Sequence, residues 1–166
     1  MKANIKKYLK EIVTFIVLMT LFANIMSLYK AQNVNKQALS LVNLTLINDT
    51  KYIFPTNKPI LIHFWATWCP VCKVESHNIQ TIANHFEVLT IAVKSGSDIT
   101  IEQYMKENGV NYKVYNDDEG FLASEYKVPA YPTTFIYDAK GNLVFSEVGY
   151  TSTFGLWIRM LWAEFK

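Results

Sequence analysis

The chain has 166 residues, 51% of them hydrophobic, and a formal charge of +2. That is room for one ordinary domain of about 100–150 residues plus a tail, with ample apolar material for a core. Lys2, Lys6, Lys7 and Lys10 precede Glu11; beyond it 12 basic residues face 13 acidic ones, a net of −1, so the body carries no basic footprint for nucleic acid.

From Ile12 to Tyr29, 18 consecutive residues carry no charge, the short end of what crosses a bilayer as a helix. The segment leaving this run, SLYKAQN, offers no A-x-A-like cleavage site. The run therefore reads as an uncleaved, single-pass signal anchor (12–29). The lysines hold residues 1–11 in the cytoplasm under the positive-inside rule. This puts the chain in the inner membrane, with its C-terminal domain on the periplasmic or extracytoplasmic side. Residues 30–38 form a polar spacer and 39–166 a folded domain.

Within that domain, LSLVNLTLIND (39–49) alternates apolar and polar residues as a half-buried strand does, and YIFP can pair with it as a hairpin. PILIHFWA is an apolar run interrupted by His63, which suits a buried central strand. A helix follows over about 70–86, with Pro70 welcome in its first turn. At 100° per residue, Val71, Val74, Asn78, Ile79, Ile82 and Phe86 share one face, and Glu75 falls in the middle of it. Then come a strand (VLTIAV), a helix capped by Asp98 and stopped by Gly109, a short strand (YKVY) and a brief helix (EGFLASEY). TTFIYD and NLVFSEV form a hairpin around AKGN. A closing helix, FGLWIRMLWAEF, starts from Thr151 or Ser152. Its stripe of Phe154, Trp157, Ile158, Leu161, Trp162 and Phe165 is expected to pack on the sheet, with Leu156 and Met160 opposite. The order describes a mixed sheet covered by helices on both faces.

The two cysteines of the chain, Cys69 and Cys72, stand together in FWATWCPVCKVE at the start of the first helix of the domain. A structural disulfide closing so small a loop would constrain almost nothing in the unfolded chain. A helix start offers free backbone N–H groups and a positive dipole end, which stabilise a thiolate. The three-residue step brings the second thiol alongside the first. This spacing supplies an exposed nucleophile and a resolving thiol, the two parts of thiol–disulfide exchange. The rival reading is a zinc or copper module using Cys69 and Cys72 with His77 and His85. The two histidines are eight residues apart on one helix, unlike the paired spacing of structural zinc sites. Nothing in the sequence requires a cofactor or a resident metal.

FWATWCPVCKVE together with YPTTFIYDAKGNLV resembles the thioredoxin-fold proteins, especially the membrane-anchored TlpA/ResA/DsbE group, and is similar to the suppressor-of-copper-sensitivity D type. The resemblance covers roughly residues 39–166. It implies an α/β fold: a thioredoxin-like mixed sheet flanked by helices, with an N-terminal hairpin and a central helix–strand insertion, preceded by one transmembrane helix. It implies that Cys69 is the nucleophile and Cys72 the resolving thiol of a redox-active disulfide. Pro132 should be cis, Tyr131 should present its backbone to a protein substrate, and Glu75 should handle the proton of the cysteine pair. Trp68 reads as a wall of the substrate site and Trp65 as core. His63 stands where plain thioredoxins carry an aspartate, which makes it either a core residue or a proton relay. Protein substrates with disulfides or thiols, and a membrane or soluble redox donor or acceptor, are the implied partners. Reduction of substrate disulfides, of apocytochrome c for instance, is the first choice. Net oxidation or isomerisation is the alternative, because Pro70–Val71 between the cysteines matches neither thioredoxin nor DsbA.

Overall fold

The computed structural model describes residues 44–166 together with 8, 10–15, 17–19 and 22. The described N-terminal residues are helical and exposed. Much of segments 1–11 and 12–29, all of the spacer 30–38 and residues 39–43 of the expected first strand lie outside the described residues. Among the described residues no helix is long and apolar enough to cross a membrane.

The expected hairpin is β1 (Leu44–Thr45) paired antiparallel with β2 (Lys51–Tyr52). The main sheet begins with β3 (Ile60–Trp65), in which every residue is buried. A strand covered on both faces must be apolar throughout, and this one is, except at His63. After helix α1 (Pro70–Ala83) the chain adds β4 (Glu87–Val93) parallel to β3. Helix α2 (Asp98–Glu107) then leads to β5 (Lys113–Asp117), parallel to β4. These last two are the expected helix–strand insertion, and they widen the sheet at its β4 edge. A short helix α3 (Phe121–Glu125) precedes β6 (Thr133–Tyr137), antiparallel to β3, and β7 (Leu143–Val148), antiparallel to β6. The closing helix is α4 (Thr153–Glu164), and the sheet order is β5-β4-β3-β6-β7.

Alternation along the strands builds two cores. Leu61, Trp65, Val88, Ala92, Val114 and Ile136 face α1, α2 and α4. Ile60, Ile62, Phe64, Leu89, Ile91 and Phe135 face the side that Ala123 and Tyr126 cover. Gly120 enters α3 at φ 78°, and a Cβ there would meet Lys94 Cε at 3.0 Å. Only glycine fits that position without strain.

Three local expectations are corrected. The cap of α2 is Ser97, whose hydroxyl accepts from Thr100 N at 3.3 Å. Asp98 is the first helical residue, where its charge suits the dipole. On α1, Val71 and Val74 are exposed, and Cys72, Glu75, Ser76, Ile79 and Ile82 are buried. The helix turns to bury its cysteine edge, so the apolar arc drawn from Val71 is displaced by about one side chain.

The third correction is larger: α4 packs through Leu156, Met160 and Ala163, and Phe154, Ile158, Leu161, Trp162 and Phe165 are exposed. Three contacts fix its rotation. Arg159 Nε pairs with Glu147 Oε1 on β7 at 2.9 Å, Trp157 packs on His85 and Phe86 at the end of α1, and Ser152 caps the helix through Gly155 N at 3.3 Å. With both faces of the helix apolar, these specific contacts decide which one turns to α1 and the sheet.

Candidate active site

Cys69 is the N-cap of α1: its backbone is extended and its Sγ accepts from Cys72 N at 3.2 Å. An acceptor sulfur at a helix N-cap sits where orphan N–H groups and the dipole favour negative charge. Pro70 fixes the first turn without needing a donor. Cys69 and Cys72 are joined as a disulfide with a Cα–Cα separation of 5.3 Å. Both are buried in this closed form, at 5% and 2% exposure, unlike the exposed nucleophile expected from the sequence.

The wall of the site is built from the loops at the ends of β3, β4 and β6. Trp68 is 61% exposed. Its Nε1 donates to Lys94 O at 3.0 Å, and its ring meets Tyr131 edge-on at 5.7 Å. Thr67 N donates to Ser95 Oγ at 3.0 Å, tying the approach to Cys69 to the end of β4. The Tyr131–Pro132 bond is cis, and Pro132 O accepts from Gly149 N at 2.8 Å. Trp65 is buried in the core.

Glu75 lies one turn along α1 from Cys72 and is fully buried. Its Oε1 accepts from Thr151 N at 3.0 Å, and its Oε2 has no partner. Burial pushes its carboxyl up to about 8, against the opposing pull of the Thr151 N–H. A lone carboxylate is costly in apolar surroundings, so the group holds its proton at neutral pH in the oxidised protein.

Sequence reasoning missed the support for this carboxyl. Asn78 Nδ2 donates to Tyr150 OH and to Thr151 O, each at 3.1 Å, and its Oδ1 accepts from Thr153 Oγ1 at 2.9 Å. Asn78 thereby holds the β7–α4 loop whose Thr151 N–H reaches Glu75. A polar residue three places from Glu75, on the same helix face, was the available signal; its partners lie more than 70 positions away.

His63 is brought to the same sheet face as the cysteines but not into a charged network. Its Nδ1 is 2.9 Å from Thr134 Oγ1, its partner across β3–β6. Burial pulls its imidazole down to about 3, so it stays neutral. His77 and His85 are exposed, and His85 is occupied by Trp157 and by Thr81 O, 3.0 Å from its Nδ1. The fold does not gather these histidines with the cysteines, and no group of three or more metal-binding side chains forms among the described residues.

The AhpC/TSA family model matches residues 25–146. A thioredoxin-like protein of Haemophilus influenzae is 30% identical over 167 residues, covering 98% of each chain. The thiol-disulfide oxidoreductase ResA of Bacillus subtilis is 35% identical over 91 residues, covering 52% of this chain and 51% of its own. The chain thus spans about half the length of that relative. The crystal structure of StoA from Bacillus subtilis superimposes with a TM-score of 0.64 at 22% identity, covering 74% of this chain and 98% of that one, a likeness of fold. On the family match and the near full-length relative together, this chain belongs to the AhpC/TSA family of thioredoxin-like proteins.

Proposed function

We propose that the chain is a membrane-anchored, extracytoplasmic protein thiol:disulfide oxidoreductase that works as a reductase. One observation carries the exchange activity: a disulfide at a helix N-terminus has a buried, proton-holding carboxyl one turn along the same helix. The names of relatives such as ResA support the activity.

In the reduced enzyme, Cys69 as thiolate attacks one sulfur of a substrate disulfide. A mixed disulfide forms and one substrate thiolate leaves, taking a proton from solvent. The Cys72 thiol then gives its proton to the Glu75 carboxylate and attacks Cys69 Sγ. The second substrate thiolate leaves and is protonated in turn. Two electrons have passed to the substrate, and the enzyme holds its internal disulfide with the Cys72 proton on Glu75. A carboxyl that titrates near 8 in the oxidised form keeps that proton at neutral pH. A donor dithiol reverses the sequence, and Glu75 returns the proton to Cys72 as it leaves.

Trp68, Tyr131 and Pro132 form the surface on which the substrate segment lies, and His63 is part of the core beneath. The uncharged run 12–29 behind four lysines supports the anchor.

The reduction potential of the Cys69–Cys72 pair against glutathione tests the direction. A value of about −270 mV or below fits a reductase, and one of about −120 mV reverses the assignment to an oxidase. Membrane protein that begins at Met1 and resists extraction by high salt fits the anchor. A soluble form starting near Ala31 overturns it.

A further inference from the structure

Five large apolar side chains, four on α4 and one at its C-cap Phe165, form a stripe that has no partner among the described residues. Taking 100° per residue from Phe154, they span one arc of about 100°: Leu161, Phe154, Phe165, Ile158 and Trp162. Their exposure runs from 38% at Leu161 to 89% at Phe165. No charged residue lies within the arc. Glu164 flanks one edge; Arg159, beyond the other, is committed to Glu147. At the C-terminal end stand two exposed cations, Lys140 and Lys166, joined by Lys140 Nζ donating to Lys166 O at 3.0 Å. Aromatic side chains bring about 150–250 Å2 each, so the stripe presents on the order of 500 Å2, the size of the largest and often functional patch on a monomer.

We propose that this face of α4 rests in the headgroup region of the bilayer, and the inference builds on the anchor reading above. The composition suits that boundary, where tryptophan and phenylalanine insert beside lysines that meet anionic lipid. The tether keeps the contact within reach. Residues 30–43 are all that separates the uncharged run from β1. Fourteen residues reach about 50 Å at most. A surface held that close meets the bilayer at high effective concentration. The hairpin of β1 and β2 adjoins the β5 edge, through Ile47 N donating to Val114 O at 3.1 Å, and α4 covers β6 near the other edge. Five strands at about 4.8 Å put the two edges about 20 Å apart, within the tether's reach. Two copies meeting through this stripe would bury on the order of 1,000 Å2, short of the roughly 1,200–2,000 Å2 of a stable interface. Because α4 packs on α1, seating α4 also fixes the orientation of the cysteine-bearing helix above the membrane.

The test uses the full chain in phosphatidylcholine–phosphatidylglycerol vesicles with and without brominated acyl chains. Subtracting the emission of Trp162→Phe from that of the parent isolates Trp162, and phenylalanine keeps the face apolar. Brominated lipid is expected to quench the Trp162 emission, and the double variant Ile158→Ser, Phe165→Ser to reduce that quenching. A chain that floats with the vesicles while Trp162 is indifferent to bromine overturns the seating and leaves the anchor standing. A Trp162 signal that follows protein density and not bromine points to a second copy and also overturns it. A chain that stays in the aqueous fraction removes the anchor and the seating with it.

Discussion

Glu75→Gln should remove the fall in stability that the parent shows as pH rises from 4.5 to about 8. In the oxidised fold the carboxyl titrates near 8, against 4.5 in an unperturbed chain, because burial disfavours its charge. Below 4.5 the folded and unfolded states both hold the proton, and its contribution to stability is fully present. Between 4.5 and about 8 only the folded state holds it, so stability falls as pH rises. Above about 8 both states are ionised and the contribution is gone. The interval is 3.5 units, and at about 1.4 kcal/mol per unit the parent loses on the order of 4–5 kcal/mol across it. The amide introduced by the substitution keeps the size and the acceptor for Thr151 N and does not ionise. Urea unfolding of both oxidised proteins at pH 5, 6.5 and 8 reads the difference: the variant should gain on the parent steadily with pH. Parallel stability curves would mean that Glu75 is hydrated and ordinary, and the proton-handling role would fall with its raised pKa. The same substitution should slow resolution of the mixed disulfide, by up to the 10²–10⁴-fold typical of lost acid–base help.

Cys72→Ser should accumulate a mixed disulfide between Cys69 and substrate, because the thiol that resolves it is gone, and Cys69→Ser should accumulate little. Non-reducing electrophoresis separates the two, and equal trapping would reverse the assigned order. Asn78→Ala should free the β7–α4 loop and weaken the Thr151 N–H on Glu75. Since that bond lowers the carboxyl's pKa, its loss should extend the fall of oxidised-state stability to higher pH, and an unmoved upper limit of that fall would show Asn78 to be packing alone. His63, held neutral with its imidazole near 3, costs the fold stability as pH falls from about 6.5 towards 3, where only the unfolded chain is protonated. His63→Leu should flatten that acid limb, offset by about 1–3 kcal/mol of lost hydrogen bonding at Thr134, and leave the pH profile of exchange above pH 6 unchanged. A lost inflection there would make His63 a proton relay after all.

Local pattern determined a good deal of this protein. The apolar run around His63 suited a strand covered on both faces, and β3 is buried at every residue. The two thiols at a helix start specified the redox pair, and the angle of Glu75 on that helix already placed a carboxyl among apolar neighbours. The Ser97 cap and the rotation of α1 were missed by one position each, because neighbouring residues can exchange such roles at little cost. What periodicity cannot supply is the choice between two apolar faces. The sequence of α4 makes the Phe154–Trp162 stripe look like core, yet Leu156, Met160 and Ala163 take that place. Arg159 must reach Glu147 on β7, and Trp157 must meet the end of α1. The environment of the buried carboxyl was equally out of reach: Glu75 and Thr151 are 76 positions apart. A backbone N–H carries no residue-specific signal, so only the packing of α4 against α1 could bring it there.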